Sequence, residues 1–521
     1  MDTLEQFARD FPEGRLDFPR LLSFLGDSPR QLQETQTQLQ ETQTQLQLSQ
    51  AQLQETQHQL KIAQNRIEEL EKRLGDPPTP RLEQPYSMRA EEKRQQAKEG
   101  KTKRKSKGGR RRHDTHLVTR TESVYPEGVP PEQCKLSHVR QVWRWEDGRT
   151  VRIAYEVYRG PKNQYGKIPG VVGRCEFGWE IIIAVAHLTH DLGISLDKAC
   201  SLLDFFQDLP IRKSQAEALL KQMAKHCERQ FDVLCVLIAN SAIVHADETS
   251  WSLKSVWGFL SEQARVLLFG VNKDAETLKR ILDADVFEGI LFSDDAAVYA
   301  NFTQAQKCWA HLIRKAIKLT LQDGENGNYR RLADGLLKIY RDARAIQTDA
   351  TLDATARHAK VAELEEGLTS LCYGETLPET SRGLEHAYAL LAHEVMRLND
   401  NRELFTFVTA ASPTQPNGTT LSVGGTNNEA ERTLRGPAEA RKTGRTNKTP
   451  AGTRRQTIVT SVLQSLRLYL PKYTLKTVIA ETLRWLQTGA SCFEERLRKR
   501  NLELPKESIL QQLYPTPQPS G

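Results

Sequence analysis

Closely spaced cysteines, long apolar runs and an apolar N-terminal core are all missing from this 521-residue chain. Its eight cysteines are scattered and none forms a CxxC pair, which argues against a disulfide framework and fits reduced thiols. The longest apolar runs, near Ile181–Leu188 and Val233–Ala239, are too short to span a bilayer. Met1–Glu13 is acidic and has no signal-peptide core. These absences lead us to expect a soluble, intracellular protein. The chain is 38% hydrophobic and 27% charged, enough to fold around ordinary cores, and its length suits about three or four domains.

The formal net charge of +7 is modest, but it is unevenly spread. From Lys101 to Arg112 every residue is basic except Thr102, Ser106, Gly108 and Gly109. Such a block is either a solvated linker or a grip on phosphates. Its place between two structured regions of a basic protein favours nucleic acid, through Lys103, Arg104, Lys105, Arg110, Arg111 and Arg112.

Ahead of the block the sequence repeats. Gln-Leu-Gln-Glu-Thr-Gln occurs at 31–36, 38–43 and 52–57. Leu32, Leu39, Leu46, Leu53, Leu60, Ile67 and Leu74 fall seven apart, the seam of a long helix that needs a partner helix to bury it. The second seam position holds Thr35, Thr42, Ser49, Thr56, Ala63 and Leu70, so the zipper is weak at its start and firmer after Ala63. Pro77, Pro78 and Pro80 stop the helix.

Folded sequence is expected to resume near Leu117. Val142–Arg159 alternates as a strand pair. Leu196–Phe206 and Lys213–Lys225 are amphipathic helices joined by Gln207–Arg212, either a helix-turn-helix or two ordinary packed helices. Ser241–Leu253 reads as a strand, and Val256–Ser261 with Ala264–Val271 as a hairpin turning at Glu262-Gln263. Ala275–Leu282 is a short helix and Gly289–Ser293 an apolar strand. Three strands, a helix and a fourth strand make the ribonuclease-H order. A helical insert follows, with Leu332, Leu336, Ile339 and Ala343 on one apolar face, and then a helix from Asn427 or Asn428 past Arg435.

Asp247 and Asp294 end two of these strands, and Glu431 lies on the helix after the insert. Singly, each has a plainer reading. A strand-end Asp is often a turn or cap, and Glu431 with Arg435 is the spacing of a surface pair worth about 0.3–0.5 kcal/mol. Together, on neighbouring strands, they can meet at one point. Three carboxylates repel unless cations lie between them, and hard oxygen donors suit Mg²⁺ or Mn²⁺. Two such ions about 4 Å apart activate an attacking oxygen and stabilise a leaving one in phosphoryl displacement.

The strings His-Ala-Asp-Glu-Thr-Ser-Trp, Ser-Asp-Asp-Ala-Ala-Val-Tyr, Cys-Trp-Ala-His-Leu-Ile-Arg-Lys and Asn-Asn-Glu-Ala-Glu-Arg-Thr-Leu-Arg resemble, in order, those of the insertion sequence sixty-six family of bacterial transposases. The resemblance covers roughly residues 180–470 and implies a DDE triad. The aspartate before Glu-Thr is Asp247. The one five residues before Tyr299 is Asp294, not Asp295. The acid before Arg in the Asn-Asn string is Glu431, not Glu429. The Asp that usually precedes the two Asn is Thr426 here. The family's cysteine-pair zinc module has no counterpart in spacing, since its region offers Cys134, His138 and Cys175, and no structural zinc is expected.

The expected fold is thus an α/β ribonuclease-H-like catalytic core with a helical insertion, an N-terminal coiled coil and a helical DNA-binding region. Its segments are a helical start (1–26), a coiled coil (27–75), a basic linker (76–116), a small β-containing region (117–177) and a helix-turn-helix-like region (178–240). The core (241–318 and 413–490) is interrupted by the insertion (319–412), and 491–521 is read as a tail. Further DNA contacts are expected from His311, Arg314, Lys315, Arg432, Arg435, Arg441 and Lys442, extended by Arg445, Lys448, Arg454 and Arg455. Cys308 and Trp309 are read as packing. The resemblance implies two Mg²⁺ or Mn²⁺ ions, double-stranded DNA as partner, self-association through the coiled coil, and action in the bacterial cytoplasm at the nucleoid. The alternative is a catalytically inactive DNA-binding regulator on the same fold.

Overall fold

A computed structural model describes residues 118–515, apart from 253, 374–382, 422 and 448, together with residue 61. Contacts divide the chain into Met1–Lys103 and Arg104–Gly521. The heptad seam and the basic block at 101–112 lie outside the described residues.

The first sheet holds β1 (Arg120–Val124), β2 (Lys135–Glu146) and β3 (Arg149–Arg159) in the order β1-β3-β2. The β2–β3 hairpin turns at Asp147-Gly148, whose φ angles of 47° and 81° are those a tight hairpin turn demands. The expected strand pair is therefore present, and it starts earlier, at Lys135.

Next come α1 (Trp179–Ala186), α2 (Leu196–Gln207) and α3 (Lys213–Ala239). Ser195 caps α2 and Asp208, at φ 48°, ends it. The second helix of the expected pair does not stop at Lys225. It runs for 27 residues, and its far half buries Phe231, Val233, Leu234, Leu237 and Ile238. A mixed run of charges after Lys225 hides that continuity in the sequence. The far half of α3 thus packs into the core.

The second sheet contains β4 (Ile243–Trp251), β5 (Lys254–Ser261), β6 (Arg265–Val271), β7 (Ile290–Ser293) and β8 (Ala305–Lys307), in the order β6-β5-β4-β7-β8. A short helix, α4 (Ala275–Lys279), connects β6 to β7. β4, β5 and β6 form an antiparallel meander, while β7 and β8 run parallel to β4. The three-residue strand β8 is too short to leave a period in the sequence.

The helices after β8 are α5 (Trp309–Gln322), α6 (Gly327–Thr348), α7 (Ala354–Cys372), α8 (Leu384–Asp400) and the single turn α9 (Thr406–Thr409). They enclose a core of their own that includes Leu332, Leu336, Ile339 and Ala343, the face expected from periodicity. Trp309 ties this core to the sheet. It is fully buried, its indole donates to Leu404 O at 2.7 Å, and it packs on Tyr340 and Phe405. Its amide donates to Gly425 O at 2.9 Å, and a Cβ at Gly425 would fall 2.8 Å from the indole, so only glycine permits this approach.

After the insert come α10 (Asn428–Lys442), α11 (Pro450–Tyr469) and α12 (Leu475–Thr488). α11 covers the free edge of β6. Thr457, Ser461 and Ser465, four apart on one helix face, accept hydrogen bonds from the backbone N–H groups of Phe269, Leu267 and Arg265 at 2.9–3.0 Å. An edge that would otherwise invite pairing with another chain is thereby closed. Residues 491–521, read as a tail from their polar and Pro-rich composition, contain α13 (Cys492–Lys499) and α14 (Ile509–Leu513). Phe493 and Leu510 are buried and the Tyr514 hydroxyl donates to Phe269 O at 2.7 Å, so residues 491–515 are part of the fold. Among the described residues no helix is long and apolar enough to cross a membrane.

Candidate active site

Successive side chains of a strand point to opposite faces. On β4, Val244 and Ala246 enter the core shared with α3 and α11, while Ile243 enters the core of the insert. His245 and Asp247 share the face of Ile243. Neighbouring β7 pairs Val244 with Leu291 and His245 with Phe292, and the same parallel register carried two residues further sets Asp247 beside Asp294.

Glu431 is brought to this point by Asn427, the residue before α10. The Asn427 side chain is buried and donates to Ala246 O on β4 at 2.7 Å, and its carbonyl oxygen faces His245 Nδ1 at 3.2 Å. Its backbone N–H donates to Cys308 Sγ at 3.1 Å. One side chain thus clamps the start of α10 to the strand that carries Asp247. Glu429 and Glu431 both lie in the first turn of α10, where the helix dipole favours negative charge. They turn to different partners. Glu429 pairs with Arg265 at 2.8 Å, whereas Glu431 accepts from Arg314 at 2.7 Å and lies 3.6 Å from His311 Nδ1. The two neighbouring aspartates divide similarly. Asp295 pairs with Arg397 of α8, while Asp294 accepts the amide of Ala296 and faces Asp247.

The carboxyl of Asp247 is pushed up to about 7. Burial is the largest cause, followed by the negative charges of Glu248 and Asp294, with a smaller push from Glu431. A bond from its neighbour's amide, Glu248 N to Asp247 Oδ1 at 2.9 Å, does not offset this. The charges of Asp294 and Glu431 thus reach Asp247, although among the described residues the ligand atoms of the three acids do not all lie within 4.8 Å of one another. An all-oxygen, partly buried, acidic donor set fits Mg²⁺ or Mn²⁺ in chemistry.

Several residues at this point escaped the sequence reading. Lys307 is buried, depressed by that burial, and donates to Ser293 Oγ and Asp294 O, both at 3.3 Å. Behind the aspartates, on the opposite face of β4, the Glu248 carboxylate is nearly inaccessible. It accepts the Tyr299 hydroxyl and pairs with Lys273 Nζ at 2.5 Å. Tyr299 closes the loop that begins at Asp294, so this bond holds the Asp294 loop to the residue next to Asp247. Tyr299→Phe should lower stability by about 1–3 kcal/mol, the range for losing a hydrogen bond to a buried charge. Urea denaturation measures it, and a loss below about 0.5 kcal/mol would show that the bond contributes little. Local sequence carried no sign of these contacts beyond the Asn-Asn and Asp-Glu-Thr strings themselves.

A cleft of about 780 Å³ opens beside Asp294, between the sheet and the insert, and is lined among others by Lys307, His311, Lys315, His393 and Arg397. Of the expected DNA contacts, His311 and Arg314 turn to Glu431, and Lys315 pairs with Glu394 at 2.6 Å. Arg432, Arg435 and Lys442 are exposed on α10. Arg441 donates to Ser250 O at 2.9 Å, at the end of β4. It is Arg314, not the helical neighbour Arg435, that reaches Glu431. Arg445 donates to Gly193 O, and Arg454 and Arg455 pair with Glu228 and Glu217 of α3, which makes those last two internal braces more than free surface. Lys448 and the basic residues 103–112 lie outside the described residues.

The family model described as Transposase IS66 family matches residues 174–455, more than half of the chain. The chain belongs to the IS66 family of transposases. The match spans α1 to the start of α11 and so takes in all three acids, the insert and the cleft of this transposase-family chain. No curated protein matches the chain.

Proposed function

We propose that the chain is an active DNA transposase of a bacterial insertion sequence, which hydrolyses a phosphodiester at the element's end and joins the freed 3′-hydroxyl to target DNA. Asp247, Asp294 and Glu431 are its catalytic acids, and the core is ribonuclease-H-like. The observation that carries this reading is positional: the strand ends that carry Asp247 and Asp294 are neighbours, and Asn427 pins the start of α10 to β4, near enough for the Asp294 and Glu431 charges to act on the buried Asp247 carboxyl. A purely DNA-binding relative has no physical reason to keep so costly a cluster. The meander followed by two parallel strands, with a helical insert before the third acid, supports the same reading.

In this reading the three carboxylates hold two divalent cations, which supply an activated nucleophile and neutralise charge on the leaving oxygen. The chain's own contribution is position. Asn427 fixes Glu431 relative to β4, the Tyr299–Glu248 bond fixes the Asp294 loop, and Lys307 anchors that loop from below. Arg314 and His311 lie where a phosphate would approach. Arg314 is more than half exposed, so its pair with Glu431 is cheaply exchanged for a phosphate oxygen. The exposed basic residues of α10 and the block at 101–112 grip the DNA backbone, α2 and the first turns of α3 remain a candidate DNA contact, and the heptad helix pairs two copies so that two element ends are held together.

Incubation of purified protein with supercoiled plasmid and Mn²⁺ or Mg²⁺ tests this proposal. Nicked and strand-joined products that require the cation and vanish with chelator are expected. Binding without any cation-dependent cleavage would make the chain a regulator, and nicking without joining would make it a nuclease.

A further inference from the structure

The turn that leads into α5 carries a second donor set, of softer chemistry than the carboxylates. Cys308 immediately precedes the helix and His311 is its third residue, a spacing that puts both side chains on one face. Cys308 Sγ, a ring nitrogen of His311 and a carboxylate oxygen of Glu431 all lie within 4.8 Å of one another. Among the described residues this is the one group of three metal-competent side chains so placed. His311 Nδ1 is shielded from solvent and has no hydrogen-bond partner, an unsatisfied polar atom that a bound cation would satisfy. It faces Glu431 Oε1 at 3.6 Å, too far for a hydrogen bond and close enough for one cation to touch both. Cys308 Sγ receives the backbone N–H of Asn427 at 3.1 Å, so negative charge on the sulfur has a donor waiting.

We propose that Cys308, His311 and Glu431 form a binding site for a thiophilic divalent cation of the Zn²⁺ class, and that filling it removes Glu431 from the carboxylates it shares with Asp247 and Asp294. One thiolate, one imidazole, one carboxylate and a water make a tetrahedral set for zinc. Mg²⁺ avoids sulfur, so the two sites differ in selectivity while they share one ligand. As the sulfur–metal bond forms, the thiol proton leaves to solvent. Arg314 gives up its pair with Glu431 at little cost, since its guanidinium is more than half exposed and screened by solvent. Zinc then acts as an inhibitor by taking a ligand at the wall of the cleft. The inhibitory half rests on the catalytic reading above; the binding half does not.

Co²⁺ added to the full chain serves as the spectroscopic probe. The expected result is a sulfur-to-cobalt charge-transfer band that Zn²⁺ displaces, that excess Mg²⁺ leaves intact, and that Cys308→Ser abolishes. His311→Gln should weaken cobalt binding by about tenfold or more, the scale at which ligand surroundings affect metal affinity. Serine still accepts the Asn427 amide, and an unchanged circular dichroism spectrum verifies that the variant is folded. The absence of the band, or its survival in folded Cys308→Ser, overturns the proposal. If Cys308→Ser does not fold, a band unaffected in His311→Gln overturns it equally. In plasmid nicking, Zn²⁺ at levels that fill the site should suppress the Mg²⁺-dependent activity of the natural protein, while Cys308→Ser nicks and resists zinc. Equal zinc sensitivity in both overturns the inhibitory half. Failure of the natural protein to nick at all refutes the catalytic reading and leaves the cobalt result to decide the site.

Discussion

Asp247→Asn, Asp294→Asn and Glu431→Gln should each reduce cation-dependent DNA nicking by at least about a thousandfold, because several kcal/mol of transition-state stabilisation is lost with the ions they hold. Plasmid cleavage by the purified variants measures the loss, and DNA retention on a gel should stay near that of the natural protein. Stability should move the other way for one of them. The Asp247 carboxyl is raised by burial and by the charges of Glu248, Asp294 and Glu431, so its amide replacement removes repulsion from the metal-free fold. Asp247→Asn should therefore be at least as stable as the natural chain at neutral pH, an opposition expected where a site is strained for function. Full activity in any of the three, or a collapse in stability that accounts for the loss, would reject the assignment.

The second large effect couples pH to metal. The Asp247 carboxyl is raised from 3.8 to about 7 in the folded chain, so across that window the native state holds a proton that the unfolded chain has released. Stability without metal should therefore fall as pH rises through the window. A divalent cation competes for the site with that proton. Its stabilising effect, about 2.7 kcal/mol at a hundredfold excess over Kd, should be nearly complete at about pH 8 and much reduced at about pH 6. Thermal denaturation with and without Mg²⁺ at the two pH values checks this. Asp247→Asn should remove most of the pH dependence. An Mg²⁺ effect that is equal at both values, or larger at the lower one, would contradict the shared-carboxylate site.

Much of this arrangement is readable before any coordinates. β4 shows itself by the apolar stretch Ile243–Ala246, the hairpin by Glu262-Gln263, and the insert by the spacing of Leu332, Leu336, Ile339 and Ala343, because local burial imposes a period on local sequence. The order of the four motif strings pointed to Asp247, Asp294 and Glu431. What escaped was non-local. Nothing near Asn427 says that its amide group will reach Ala246, 181 positions away. Lys273 and Glu248 meet across a bend between strands, and Lys307 joins Asp294 by way of a three-residue strand. Elements whose composition misleads were misread as well. The far half of α3 is interrupted by charges on its solvent side, and α13 and α14 hide in a polar stretch because few buried side chains dock them, Phe493, Glu494 and Leu497 in one and Leu510 in the other.

The central claim is that side chains from β4, from the loop after β7 and from α10 share the same cations. Anomalous diffraction from crystals of the chain soaked in Mn²⁺, collected near the manganese edge, addresses it most directly. The account expects manganese peaks within coordination distance, about 2.0–2.4 Å, of carboxylate oxygens from Asp247, Asp294 and Glu431 together. Manganese bound by only one of the three, or found elsewhere while those carboxylates stand apart, would contradict it.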